Sequence, residues 1–399
     1  MRIGMMADMY KPHISGITNY IALNKRYLEQ AGHEVFVFAF GDLEYKDDEP
    51  NVFRSAGLPI VDTGYYLNVS HSPRVKHLIQ TMDVVHVHHP FLSGRLALRY
   101  CRPLRIPVVF TNHTRYDLYA QAYLPLLPEE ISGTLLQTYM PPFCDAVDLV
   151  VSPSAGMAGV LRRLGVTSPI EVVPNGVELR QFLERCDSDC RAELGFSPEE
   201  ILLIYTGRLG PEKNLTFLLN AFAGVAEAVP EARLLIVGGG PEEATLKQQA
   251  AQTGVAERIH FIGMLPYERI PEYLAMADIF VTASVTEVHP LSVIEAMGSG
   301  LPVMGIRSVG VGDTVEDGRT GYLAREDQAS FAAKLTRLCI DRDLRGAMGA
   351  TASQSCARYA IESTTKVMLA HYERLASEAT PRKRGLRFRV RNFMERFRK

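Results

Sequence analysis

The sequence predicts an α/β protein of two domains, each built on an open parallel sheet. The chain has 399 residues, which is more than one hydrophobic core usually serves. Short apolar runs alternate with amphipathic stretches in both halves, as they do in repeated βαβ units. Hydrophobic residues make up 47% of the chain and charged residues 22%, and this balance is typical of a globular protein.

The first half shows this alternation from its start. The spacing of its apolar residues predicts a helix over Gly16–Gln30 between two short strands. The predicted strands of this half are Ile3–Met6, Glu34–Phe40, Asp83–His88, Pro107–Thr111 and Leu149–Ser152.

The second half repeats the pattern after a segment over 169–198, where Pro174-Asn175-Gly176 is a strong turn signal and indicates the hinge. Its predicted strands are Ile201–Thr206, Arg233–Val237, Ile259–Ile262, Asp278–Thr282 and Pro302–Ile306. Its predicted helices are Leu215–Ala228, Glu242–Gln252, Ile270–Met276 and Pro290–Ser299. Two facing open sheets leave a cleft at the carboxyl ends of their strands, where such sheets bind ligands.

Gly16 lies between the first strand and the first helix. A glycine at a helix start lets the backbone approach an anion, and the free N–H groups there attract phosphate. An ordinary strand–glycine–helix turn explains the residue equally well. The loop has no GxGxxG pattern, which counts against an NAD-type dehydrogenase.

Arg208 and Lys213 lie five residues apart in the glycine-containing loop after a second-half strand. A guanidinium fork and a mobile ammonium at this spacing can converge on one diphosphate. The alternative is a pair of surface cations. Their position at the carboxyl end of a strand favours the binding role.

Two glutamates, Glu287 and Glu295, are separated by seven residues. Pro290 suits a first helical turn, so Glu287 is predicted to precede the helix and Glu295 to lie inside it. The free N–H groups of Leu291 and Ser292 would point at an anion between them. Carboxylates accept hydrogen bonds from hydroxyls, so the pair suits a sugar nucleotide. For Glu295 alone, a solvent-facing side chain is the simpler interpretation.

With these motifs the sequence resembles glycosyltransferase family 4, retaining enzymes of the GT-B fold, in which two Rossmann-like domains face each other across a cleft. The resemblance covers nearly the whole chain and is carried by Gly207–Asn214, the two glutamates and Pro174–Val177. It implies that Arg208 and Lys213 bind the donor diphosphate, that Glu295 binds the ribose and that Glu287 contacts the transferred sugar.

The predicted donor site also includes Gly16, His289, Pro290, Leu291 and Ser292. The chain departs from the family where Val288-His289-Pro290-Leu291 replaces the commoner Phe-Gly-Leu, and where a single Gly16 replaces two glycines.

The implied donor is a UDP- or GDP-hexose, with no cofactor. The predicted domains are 1–175 for the acceptor and 195–358 for the donor, followed by a helix over 359–378 that crosses back to the first domain and a basic tail over 379–399. By resemblance no enzymic nucleophile is needed, because the held diphosphate stabilises the developing negative charge. No general base is assigned.

His113 ends a strand of the first half, and the resemblance places a histidine of this kind beside the donor sugar, in a catalytic role. A structural histidine is the alternative. His86 and His88 share a strand face next to His89 and could chelate a metal, but no third ligand is evident and no Asp-x-Asp element is present. We therefore predict no metal.

The net charge of −2 conceals an asymmetry: residues 382–399 carry nine Lys/Arg and one acid, or +8, so the remainder carries −10. Leu386, Val390, Phe393 and Phe397 form one apolar stripe among these cations, which predicts a helix lying in an anionic membrane surface. A disordered basic tail or a nucleic-acid arm is the alternative, and no nucleic-acid partner is predicted. Arg95, Arg99 and Arg102 also share a helical face, and an ordinary solvent-exposed face explains them equally well.

No apolar run approaches the roughly 18 residues that cross a bilayer, and the N-terminus lacks a signal-peptide core. The six cysteines are scattered, and only Cys186 and Cys190 are close, which indicates reduced thiols. The predicted location is the cytoplasm, peripheral at the cytoplasmic face of the membrane.

The segments over 113–119 and 8–12 resemble those of bacterial diacylglycerol glucosyltransferases. The predicted reaction is transfer of a hexose, first of all glucose, to a membrane lipid, first of all 1,2-diacylglycerol. Phosphatidylinositol and soluble or polyprenyl-linked glycans are alternative acceptors. A non-catalytic nucleotide-sugar-binding protein is the remote alternative.

Overall fold

A computed structural model describes residues 1–13, 15–59, 66–67, 70–118, 129–183 and 190–379. The chain divides into two compact units. The first contains Met1–His113, Gly133–Gly176 and the chain from Ile361, and the second contains Thr114–Ser132 and Val177–Ala360. The predicted membrane segment over 382–399, like Tyr119 and Cys186, lies outside the described residues.

The first unit is built on a seven-stranded parallel sheet in the order β3-β2-β1-β6-β7-β8-β9. These strands are β1 Arg2–Ala7, β2 Glu34–Phe40, β3 Val52–Ser55, β6 Val84–Val87, β7 Val108–Thr111, β8 Leu149–Ser152 and β9 Ile170–Val172. Leu58–Pro59 (β4) and Tyr66–Leu67 (β5) form a separate antiparallel pair. The central strands are continuous apolar runs because helices cover both faces of a parallel sheet.

The helices of the first unit include the last helix of the described chain. They are α1 Gly16–Gln30, α2 Pro73–Ile79, α3 Leu92–Cys101, α4 Glu129–Ala146 (in this unit from Gly133), α5 Ala155–Arg163 and α15 Ile361–Glu378. The N-terminus of α1 is capped by Ser15, whose hydroxyl accepts from the Thr18 N–H at 3.2 Å. Helix α15 packs against α1, where the Thr365 hydroxyl donates to the Asn24 side chain at 3.1 Å.

The second unit contains a six-stranded parallel sheet in the order β12-β11-β10-β13-β14-β15. Its strands are β10 Ile201–Thr206, β11 Ala232–Val237, β12 Ile259–Gly263, β13 Ile279–Thr282, β14 Val303–Ile306 and β15 Gly321–Ala324. The order runs outward in both directions from β10 and β13, so the topological switch point lies between these strands. The loops that follow them are therefore neighbours at the edge where doubly wound sheets bind ligands.

Helices cover both faces of this second sheet. They are α6 Arg180–Leu183, α7 Cys190–Glu193, α8 Leu215–Ala228, α9 Glu243–Ala250, α10 Ile270–Ala275, α11 Leu291–Gly298, α12 Val309–Thr314, α13 Gln328–Ile340 and α14 Arg342–Ser355. One core layer contains Phe222 of α8 and Phe331 of α13, and the layer on the other face contains Ile294 of α11. Short 3-10 turns span Arg102–Leu104, Pro211–Lys213, Ala256–Arg258, Tyr267–Arg269 and Cys356–Tyr359.

Most predicted elements of both halves are present. Helix α1 and strands β2 and β10 have the predicted bounds at both ends. The helix predicted from Pro290 begins one residue later, at Leu291, because Pro290 has an extended ψ of 114° and serves as the N-cap.

Candidate active site

The loop after β10 carries Arg208 and Lys213. Gly207 has a φ of 153°, and the Tyr205 hydroxyl donates to the Arg208 carbonyl at 3.0 Å, so the chain turns sharply out of the strand. The Arg208 guanidinium lies 4.0 Å from the carboxylate of Glu212, whose side chain is 1% exposed, whereas that of Arg208 is 29% exposed. Arg208 is therefore held near a buried acid and still open to a ligand.

A glycine run after β11 supports this loop from behind. Gly238 has a φ of 137°, and a Cβ added there would lie 1.9 Å from the Gly207 carbonyl oxygen. The Leu209 N–H donates to the Gly239 carbonyl at 3.0 Å. Only glycine permits this backbone-to-backbone approach, so the run after β11 shapes the loop that presents Arg208.

The loop after β13 is tied to the loop after β10. The hydroxyls of Ser284 and Thr286 donate to the Glu212 carbonyl at 3.3 and 3.1 Å. The Gly310 N–H donates to the Glu287 carbonyl at 3.0 Å. With its backbone fixed in this way, Glu287 places Oε1 2.6 Å from the Nζ of Lys213. The sheet order thus brings Lys213 and Glu287 into contact at the switch point, with Arg208 on the same loop as Lys213.

Helix α11 presents its N-terminus and Glu295. Its first internal hydrogen bond runs from the Ile294 N–H to the Pro290 carbonyl at 3.3 Å, so the N–H groups of Leu291 and Ser292 lie outside the helical ladder. These two residues are half-buried, and Pro290 is buried. Free N–H groups at a helix N-terminus attract anions, and the role of Leu291 and Ser292 in donor binding stays a prediction.

Glu295 is 7% exposed, and burial raises the pKa of its carboxyl to about 7. The Tyr267 hydroxyl donates to its Oε1 at 2.8 Å, which lowers the pKa against the effect of burial. Sequence reasoning missed Tyr267, which lies 28 residues away. The available signal was its place after β12, at the same edge of the sheet.

His289 is more deeply buried than Leu291 and Ser292, two other residues predicted to bind the donor at this helix end. Its ring is buried edge-on against Tyr359, with 4.9 Å between the ring centroids. Burial, aided by the nearby Arg358, lowers the pKa of His289 to about 3. The ring is neutral and packs within the unit, and a role for His289 in donor binding stays a prediction.

In the first unit, Gly16 is the first residue of α1. A Cβ added to Gly16 would meet no atom within 4 Å. Packing within the described chain therefore does not require a glycine here, and the backbone at the helix start is open.

His113 follows β7 and is part of an aromatic cluster. Its Nε2 lies 3.1 Å from Nδ1 of His88, and its ring centroid lies 4.7 Å from that of Tyr20. Burial, with the nearby His86 and His89, holds the pKa of His113 well below the usual range. The ring is therefore neutral near pH 7 and can act as a polar contact without carrying charge.

The neighbouring histidines make hydrogen bonds in the core. His86 shares hydrogen bonds with the Tyr372 hydroxyl at 2.6 Å and the Thr111 hydroxyl at 2.7 Å. His89 Nδ1 accepts from the Asp8 N–H at 3.1 Å. Among the described residues, no group of three or more His, Cys, Asp or Glu side chains could hold a metal ion.

Two further observations bear on the predicted contact with a membrane. Arg95, Arg99 and Arg102 are exposed on and just after α3, and no ion pair involving them occurs between described residues. Among the residues that the structure describes, in both units, no helix is both long and apolar enough to span a bilayer.

The fold matches solved glycosyltransferases over nearly its full length. Sucrose-phosphate synthase from Thermosynechococcus elongatus superposes with a TM-score of 0.78 at 21% identity, over 94% of this chain and 99% of that one. Anabaena HepE, solved with UDP and glucose, superposes with a TM-score of 0.77 at 19% identity, over 94% and 100%. Two Rossmann-like units that superpose on these structures thus define the fold class, which is GT-B.

The sequence comparisons give the family. The model described as Glycosyltransferase Family 4 matches residues 14–181, and the model described as Glycosyl transferases group 1 matches residues 188–355. The chain is 30% identical to alpha-monoglucosyldiacylglycerol synthase of Streptococcus pneumoniae, over 86% of this chain and 80% of that protein. It is 26% identical to the Acholeplasma laidlawii enzyme of the same name, over 92% and 95%, and 31% identical to D-inositol 3-phosphate glycosyltransferase of Nocardia farcinica, over 73% and 66%. The chain belongs to glycosyltransferase family 4.

Proposed function

We propose that this protein is a retaining hexosyltransferase that transfers glucose from a nucleotide sugar to 1,2-diacylglycerol in glycolipid synthesis. The observation that carries the donor half of the proposal is the ion pair between Lys213 and Glu287, which joins the two loops at the switch point of the second sheet, with Arg208 on the first of these loops. Two cations beside a helix N-terminus suit a diphosphate.

Each donor residue has a distinct task in this proposal. Arg208 and Lys213 hold the diphosphate, with the N–H groups of Leu291 and Ser292 behind it. Glu295 accepts hydrogen bonds from the ribose hydroxyls. When the diphosphate replaces Glu287 as the ion-pair partner of Lys213, the Glu287 carboxylate accepts a hydrogen bond from a hydroxyl of the transferred sugar.

The reaction needs no covalent enzyme intermediate. The bond between the sugar C1 and the diphosphate oxygen breaks, and a bond forms from C1 to the acceptor hydroxyl oxygen on the same face. The hydroxyl proton passes to the leaving diphosphate. The cations stabilise the negative charge that develops on the diphosphate, and donors aimed at such charge are worth about 10² to 10³ in rate.

Two kinds of observation support a lipid acceptor. Two relatives that this chain matches over 80% and 95% of their length are named for monoglucosyldiacylglycerol synthesis. The tail over 382–399, outside the described residues, carries +8, and each cation near an anionic surface is worth about 1 kcal/mol. The exposed arginines of α3 would add to this attraction. We propose a peripheral location at the cytoplasmic face of the membrane.

Vesicle sedimentation tests the membrane part. Loss of residues 382–399 should release the protein from vesicles that contain anionic lipid. A control variant, Phe393→Ser with Phe397→Ser, keeps every charge and separates the apolar stripe from electrostatic attraction. Unchanged sedimentation of the truncated protein would remove the tail from the proposal.

The acceptor is tested with labelled UDP- and GDP-hexoses in parallel reactions. The acceptors are vesicles with diacylglycerol, vesicles with phosphatidylinositol, and soluble inositol 3-phosphate, because one relative is named for that compound. The proposal predicts label in the organic phase with diacylglycerol and UDP-glucose. Label in another acceptor instead would contradict diacylglycerol as the acceptor. Label in none of the acceptors would contradict the proposed glycosyl transfer itself.

A further inference from the structure

Tyr267 makes a contact that the proposed donor site does not yet explain. It lies in the 3-10 turn after β12, and its hydroxyl donates to Oε1 of Glu295 at 2.8 Å. The ring is 40% exposed and meets Phe182 edge-on, with 6.3 Å between the centroids. A large, partly exposed aromatic residue thus places a hydrogen-bond donor on a buried carboxylate.

The geometry leaves the carboxylate able to bind a diol. A carboxylate offers about four lone-pair positions to donors. Tyr267 occupies one position on Oε1, and the remaining positions suffice for two neighbouring ribose hydroxyls. The phenol fixes the rotation of the carboxylate about its last torsion, which is otherwise broad. Binding therefore does not have to order this group.

Charged neighbours do not provide the same control. The elements packed against α11 are α6, α12, β14, α14 and the 3-10 turn at Cys356–Tyr359. The charged residues on these elements, and on the Tyr267–Arg269 turn that contacts Glu295, are Arg180, Glu268, Arg269, Asp313, Arg342, Asp343, Arg345 and Arg358. Within the described chain, none of them bonds to the Glu295 carboxylate, and Tyr267 is its side-chain hydrogen-bond partner.

We propose that Tyr267 is a positioning residue for nucleotide recognition, which holds the Glu295 carboxylate so that its free lone pairs meet the ribose hydroxyls. This inference rests on the proposed function, because it takes the ribose to bind at Glu295. It assigns ribose selectivity to a pair of residues rather than to Glu295 alone.

The test compares binding of a nucleotide and its 2′-deoxy form. UDP and GDP are titrated in parallel, and the one that the wild type binds is used with its 2′-deoxy counterpart. Tyr267→Phe keeps the ring against Phe182 and removes only the hydroxyl. It should weaken the ribonucleotide about three- to tenfold and the deoxynucleotide less. In a Glu295→Gln background the same change should have little further effect.

A second readout separates positioning from packing. Because the Tyr267 hydrogen bond lowers the pKa of Glu295, Tyr267→Phe should shift the pH dependence of UDP-glucose binding upward. Tyr322→Phe, a change at a half-buried tyrosine on β15, is the matched control and should leave both readouts unchanged.

The outcomes distinguish this inference from the function beneath it. A wild type that binds neither nucleotide overturns the nucleotide-sugar donor and this inference together. A wild type that binds, with Tyr267→Phe equal to it, overturns the role of Tyr267 alone. Equal losses for the ribo- and deoxynucleotide would also overturn it, because they would indicate a general effect on the loop.

Discussion

The ammonium of Lys213 lies 2.6 Å from Oε1 of Glu287, so two residues predicted to bind different parts of the donor form an ion pair with each other. Their side chains are only 18% and 20% exposed. The pair satisfies both charges in the absence of a ligand, and donor binding must exchange it for contacts with diphosphate and sugar. Because of this exchange, we expect replacement of Lys213 and replacement of Glu287 to affect donor binding and sugar transfer differently.

Replacement of Lys213 by alanine should lower kcat/KM for the nucleotide sugar by about 10² to 10³, because one donor to the developing charge is lost. The melting temperature should also fall, because Lys213→Ala leaves the Glu287 carboxylate, which is only 20% exposed, without its ion-pair partner. Steady-state kinetics and thermal denaturation check both parts. Lys247→Ala is the control for activity, because Lys247 forms an ion pair with Glu243 in the same unit at the more exposed surface of a helix, where the two side chains are 51% and 35% exposed. Equal activity of the two variants would contradict a diphosphate role for Lys213.

Glu287→Gln should separate binding from transfer. Removal of the carboxylate charge releases Lys213, so UDP should bind as tightly as before or several-fold more tightly. Transfer should nevertheless fall by about tenfold or more, because a charged acceptor to a sugar hydroxyl is replaced by a neutral one. Calorimetry with UDP measures the affinity, and steady-state kinetics with the sugar nucleotide measure the rate of transfer. A parallel loss of UDP affinity and rate would show that Glu287 does not restrain Lys213.

Donor affinity should depend on pH through Glu295. Its pKa is raised to about 7 from an ordinary 4.5, so folding favours the protonated form and its ionisation costs stability as pH rises across that interval. Ribose hydroxyls donate to the ionised form, so binding should strengthen as pH rises through about 7 and level off above. Below the pKa, UDP-glucose affinity should fall by about tenfold per pH unit.

Glu295→Gln provides the control for that prediction, because it keeps the shape of the side chain and cannot titrate. Its affinity for UDP-glucose should be lower than that of the wild type above the pKa and flat with pH. Its stability to denaturant should exceed that of the wild type at pH above about 7. A wild-type slope that persists in the variant would assign the pH dependence to another group.

Gly16→Ala should damage activity without damage to the fold. A Cβ at this position meets no atom of the described chain, and alanine favours helix formation by up to about 1 kcal/mol over glycine. If the helix start approaches the donor phosphate, the added methyl group should lower kcat/KM by about tenfold. Gly133→Ala in α4 is equally unobstructed and serves as the control. Full activity of Gly16→Ala would remove this residue from the donor site.

Local patterns explain which parts of the fold were predictable. Helix α1 and strand β2 were confirmed at both ends, because an amphipathic stretch and a continuous apolar run have clear limits in the sequence. Strands β3, β9 and β15 were not predicted. Each has three or four residues, and β9 is partly exposed, so a short edge segment has too few residues to show a period.

The contacts within the candidate site were harder to foresee. Motif spacing indicated Arg208, Lys213 and Glu287, and the sheet order then explains why the two loops meet. The hydrogen bond from Tyr267 to Glu295 and that between Tyr372 and His86 join distant parts of the chain. Such contacts depend on which strands become neighbours, and no local pattern records that.

The central claim is transfer of glucose from a nucleotide sugar to diacylglycerol with retained configuration, and NMR of the extracted lipid product tests it most directly. The wild type, supplied with UDP-glucose and diacylglycerol vesicles, should form α-linked glucosyl diacylglycerol. The Arg208→Ala, Lys213→Ala double variant should form no detectable product. A β-linked product would contradict retention, and lipid without sugar for every nucleotide donor would contradict the proposed function itself.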